Sequence, residues 1–87
     1  MEVRMGSVVR SIAGRDKGSL FIVLSAENGY VTLADGDLRK ADCPKRKKLK
    51  HIKVSGKISD CISDKLTAGE SVTDAQLRKA LAEMVLR

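Results

Sequence analysis

Aromatic rings are nearly absent from this chain, which has one tyrosine, one phenylalanine and no tryptophan. A core built from it must be aliphatic, and a nucleic-acid partner read by shape and phosphate contact fits better than a single strand, whose successive bases stack on several exposed rings. Histidine occurs once, as His51, and cysteine twice, as Cys43 and Cys61. From the sequence alone one histidine does not allow a Ser/His/Asp or Cys/His set to be argued, and two cysteines 18 residues apart match neither metal-ligand nor redox spacing. The cysteines read as reduced thiols. Asp35 and Asp37 flank Gly36 and read as turn residues rather than a carboxylate pair. The expectation is a non-enzyme with no catalytic residue, metal or cofactor. No apolar run approaches the ~20 residues of a membrane span, and no signal peptide is evident, so a soluble cytoplasmic protein is expected.

What is present begins with charge. The 87 residues carry a net charge of +6, and hydrophobic residues make up 43%, enough for one modest core. Residues 1–57 hold 13 Lys/Arg against 6 Asp/Glu, whereas residues 58–87 hold 4 against 5. The basic excess therefore lies wholly in the first part, which favours a polyanionic partner there, nucleic acid before membrane.

Strand signals fill the same part. Residues 6–12 and 19–26 are rich in β-branched residues and bounded by glycine, and residues 30–34 return after Asn28-Gly29. Asn-Gly suits a type I′ hairpin, whose two central residues both need positive φ. A two-residue turn pairs Glu27 with Tyr30, Ser25 with Thr32 and Leu24 with Leu33. That register puts Ile22, Leu24, Ala26, Val31 and Leu33 on the core face, and leaves Phe21, Val23 and Ala34 outside in need of a cover. A long basic loop around Pro44 follows the Asp35-Gly36 turn, and strand character resumes over 49–54.

Helical signals fill the remainder. Residues 74–86 place Leu77, Ala80, Leu81, Met84 and Val85 on one stripe behind a Thr73–Gln76 capping box. Ile58, Cys61, Ile62 and Leu66 mark a shorter helix over 58–66. The expected fold is mainly β. A small SH3-like barrel occupies 1–57, and a helical extension of the same domain, 58–87, packs on it with Leu77, Leu81 and Met84 against Phe21 or Val23.

Two basic features stand out. Gly14-Arg15-Asp16-Lys17-Gly18 fits neither phosphate-binding glycine motif and is at least a β-turn, with Gly18 supplying positive φ. Its Arg15 and Lys17 project from a backbone that can also meet a phosphate. The second feature runs from Arg39 and Lys40 through Lys45, Arg46, Lys47 and Lys48 to Lys50 and Lys53. Such a run is either a solvated surface or, joined by Arg10, Arg15 and Lys17, one face of a phosphate-binding site.

The stretch from Val8 to His51 resembles the KOW motif and its barrel, as found in ribosomal proteins and the NusG family. The resemblance rests on "VVRSIAGRDKGSLFIVL", where Gly18 matches the motif's defining glycine, and continues through "YVTLADG" to "LKHI". Together these are similar to the large-subunit ribosomal protein 14 family of archaea and eukaryotes. The resemblance covers about half the chain. It implies a monomeric barrel that binds structured ribosomal RNA through its loops, with ribosomal proteins as neighbours. By position, Arg15, Lys17, Arg39, Lys40, Lys45, Arg46, Lys47 and Lys48 would face RNA, with Arg10 and Lys50 beside them. The alternative is a KOW protein-interaction module of a transcription or translation factor, which exposed Phe21 and Val23 would favour.

Overall fold

The computed structural model describes residues 3–85. Five antiparallel strands, β1 (Ser7–Ser11), β2 (Leu20–Glu27), β3 (Tyr30–Ala34), β4 (Lys45–Lys48) and β5 (Ile52–Ile58), are followed by helices α1 (Asp60–Thr67) and α2 (Asp74–Val85). The mainly β class with a helical C-terminal part is as expected. Leu86, expected as the last helical residue, and the Val85 side chain lie outside the described part.

The sheet has the order β4-β3-β2-β1-β5, with β4 and β5 at its edges. Flat, five strands would hold those edges about 19 Å apart, at ~4.8 Å per step. Only a three-residue 3₁₀ turn, Leu49–His51, joins them, and it spans about 6 Å. The sheet must therefore curl tightly at that end. It does not close into the expected barrel, because β4 pairs only with β3 and β5 only with β1.

The Asn28-Gly29 turn forms as the sequence dictates, with φ of 53° and 79°. Glu27 pairs with Tyr30 and Ser25 with Thr32, but Val23, not Leu24, pairs with Leu33. Leu24 is the extra residue of a β-bulge, and beyond it every side chain of β2 changes face. Phe21 and Val23 thus join Val9, Val31, Leu33 and Ile52 in a cluster on the concave face. No helix covers that cluster, so the curled sheet itself buries it. Ile22 and Ala34 turn to the convex face and pack with Val8 beneath Ile62, Leu77 and Ala80 of the two helices.

The expected helical cover is therefore present, but on the opposite set of sheet residues. Leu77, Leu81 and Met84 belong with Ile22, Ala34 and Val8, and Phe21 and Val23 are fully buried on the other side. The sheet's inner face bends around its own cluster, and one extra residue in β2 re-phases the strand to allow this.

Both helices start on side-chain caps. Ser59 Oγ accepts from the Ile62 N–H (3.4 Å) at α1. At α2 the Thr73 hydroxyl accepts from the Gln76 N–H (3.1 Å), and the Gln76 side-chain oxygen accepts from the Thr73 N–H (2.9 Å). Two further bonds moor α2 to the loop after β3. Asp74 Oδ1 accepts from the Ala41 N–H (2.7 Å), and the Arg78 guanidinium donates to the Gly36 carbonyl (2.6 Å).

Gly18 has φ of +92°, a conformation that side chains with a Cβ rarely adopt. Its N–H donates to the Ser11 carbonyl (2.8 Å), closing the loop between β1 and β2. Gly18→Val is expected to cost about 1–3 kcal/mol. At roughly 4–8 °C per kcal/mol for a domain of this size, thermal unfolding followed by circular dichroism should show a clear drop. A variant melting with the parent would contradict this account of the loop.

Candidate nucleic-acid interface

The basic run after Pro44 is a strand, not the expected loop. Lys45, Arg46, Lys47 and Lys48 pair with Leu33, Thr32, Val31 and Tyr30 along β3. Strand alternation then separates the four side chains. Arg46 and Lys48 share the outer face with Thr32 and Tyr30, whereas Lys47 turns inward with Val31. The Lys47 side chain is only 8% exposed. As an edge strand of cationic residues, β4 also resists pairing with a second sheet.

Asp16, the one acidic residue of the Gly14–Gly18 loop, is buried beside Lys47. Its Oδ2 lies 4.0 Å from the Lys47 Nζ and 3.3 Å from an Arg39 guanidinium nitrogen. A buried carboxylate between two cations compensates charges that would otherwise be costly to desolvate. It also ties the loop, the turn after β3 and β4 into one unit. Asp35 builds that turn, its Oδ1 accepting from the N–H groups of Asp37 (2.9 Å) and Arg39 (2.8 Å), as the turn reading of these aspartates requires.

A groove of about 380 Å³ opens along this unit, lined by Ala13, Gly14, Tyr30, Lys45, Arg46, Lys47, Lys48 and His51. Basic side chains line it, and none of the described carboxylates does. A Cβ on Gly14 would stand 3.6 Å from the Lys47 Nζ, so the glycine loop is one wall and β4 the other. Across the strands, the Arg46 guanidinium carbon sits 4.1 Å from the centre of the Tyr30 ring, a cation–π pair.

No family model and no curated protein matches the chain.

The ten candidate cations divide into four groups. Lys45, Arg46 and Lys48 line the groove, and Arg15, Lys17, Lys40 and Lys50 are exposed on the segments around it. Lys47 and Arg39 are engaged by Asp16. Arg10 is exposed, and its guanidinium donates to the Gly18 carbonyl (2.9 Å), bracing the loop from the β1 side. Of the turn glycines, Gly14 lines the groove, and Gly18 and Gly29 hold positive φ.

Tyr30 and His51 are groove residues that sequence reasoning missed. The signal for Tyr30 was its place beside the hairpin turn, but its neighbours are known only once β4 is recognised as a strand. Cys43 and Cys61 are free, exposed thiols outside the groove. Among the described residues, no three His, Cys, Asp or Glu side chains converge on a possible metal site, and no helix is long and apolar enough to cross a membrane.

Proposed function

We propose that the protein is a monomeric RNA-binding module that grips phosphates of structured RNA along the groove between the Gly14–Gly18 loop and β4. The observation that carries this reading is the convergence of Lys45, Arg46 and Lys48 with Gly14 and His51 in one groove that no described carboxylate lines. Four exposed cations on neighbouring segments, Arg15, Lys17, Lys40 and Lys50, extend the positive surface. Coulomb attraction with counterion release supplies most of the affinity in such a site. No chemical step is assigned to it.

The resemblance of residues 8–51 to the KOW motif supports the same reading and narrows it to ribosomal or ribosome-associated RNA in the cytoplasm, with ribosomal proteins as neighbours. The rival protein-interaction reading leaned on exposed Phe21 and Val23, and both are fully buried.

The test is fluorescence anisotropy with a structured RNA. Replacing Lys45, Arg46 and Lys48 with alanine should weaken binding to structured RNA, while Lys79→Glu on the helical face should change it far less. Equal losses from both variants would point to diffuse charge attraction and contradict a defined groove. Arg15→Ala should lower affinity while leaving the melting temperature nearly unchanged, because its side chain is exposed.

A further inference from the structure

The phosphate-binding reading uses the charges of the groove but leaves its ring unexplained. Tyr30 is the chain's only tyrosine, and the Arg46 guanidinium carbon stands over it, 4.1 Å from the ring centre. Both residues line the groove, as do Lys45 and Lys48. Arginine held on an aromatic ring presents a planar, weakly hydrated surface and a rigid fork of donors, and nucleobases stack on such guanidinium planes. One ring–guanidinium stack provides a platform for one base. The groove, at about 380 Å³, is near the lower end of the roughly 300–1,000 Å³ of small-molecule sites, which suits one nucleotide rather than a strand.

We infer that the groove takes a single unpaired nucleotide of an RNA helix, a bulged or extruded residue whose base stacks on the Tyr30–Arg46 pair while Lys45 and Lys48 meet the flanking phosphates. This rests on the RNA-binding reading above and adds a structural preference to it: a helix with an unpaired nucleotide over a perfect one. Were the Tyr30–Arg46 pair merely cross-strand packing, it would contribute equally whichever RNA was bound.

The experiment compares an RNA duplex with the same duplex carrying one bulged 2-aminopurine, using the full chain and following both anisotropy and 2-aminopurine fluorescence. The bulged RNA should bind about 5- to 150-fold more tightly, the range expected for one stacked base, with its fluorescence changing on binding. Tyr30→Leu keeps apolar bulk opposite Lys48 but removes the ring. It should abolish the preference and the fluorescence change while retaining duplex binding, and Tyr30→Phe should keep both. Melting temperatures of the variants show whether the hairpin survives. Equal binding of the two RNAs by the parent protein, or a preference unchanged in Tyr30→Leu, overturns the inference and leaves phosphate binding standing. Binding of neither RNA overturns both.

Discussion

Replacing Leu77 with aspartate is expected to unfold the whole domain, not merely to fray its last helix. Leu77 is fully buried, packed with Val8, Ile22 and Ala34 of the sheet and Ile62 and Ala80 of the helices. Truncating such a leucine costs about 2–5 kcal/mol, and a carboxylate adds the penalty of an unpaired charge in an apolar site. A small domain has only about 5–15 kcal/mol in total, so little or nothing remains. The check is circular dichroism with a fluorescence or NMR probe on the hairpin. Strand and helix signals should be lost together. Loss of the helical signal alone, with the sheet melting as before, would mean that the convex face does not depend on its cover.

RNA affinity is expected to fall by roughly a thousandfold between 50 and 200 mM salt if about six phosphates are engaged. The three groove cations not engaged by Asp16, with four around the groove, are enough to supply six contacts. The slope of log affinity against log salt should flatten by about one for each phosphate-contacting cation removed, hence by about three in the Lys45/Arg46/Lys48 alanine variant. Titrations at four or five salt concentrations measure both slopes. An affinity insensitive to salt would argue against phosphate contacts as the source of binding.

The parts of this fold that were legible in the sequence are those decided within a few residues. Asn28-Gly29 dictates its turn because its neighbours cannot easily replace the two positive φ angles, and Thr73 with Gln76 caps α2 through bonds that close within one turn. The stripe of Leu77, Ala80, Leu81 and Met84 likewise marks the buried face of α2 without reference to the sheet.

What stayed hidden depends on partners distant in sequence. The bulge at Leu24 leaves no local trace, because Val23 and Leu24 are both apolar and either could face inward. The choice falls to the curl of the sheet, which needs Phe21 and Val23 with Val9 and Ile52 on one side. The strand Lys45–Lys48 has neither apolar alternation nor β-branched residues, and only its pairing with β3 makes it a strand. The site was therefore visible as charge but not as shape. Lys47 looked like its neighbours until alternation turned it toward Asp16, and Arg46 met Tyr30 only across the β3–β4 register.

The most direct test of the central claim is an amide chemical-shift titration of the labelled protein with a structured RNA. Perturbations should cluster at Ala13, Gly14, Tyr30, Lys45 to Lys48 and His51, and leave the exposed surface of α1 and α2 unchanged. A footprint centred on the helices, or shifts scattered over every lysine of the chain, would contradict a binding groove between the glycine loop and β4.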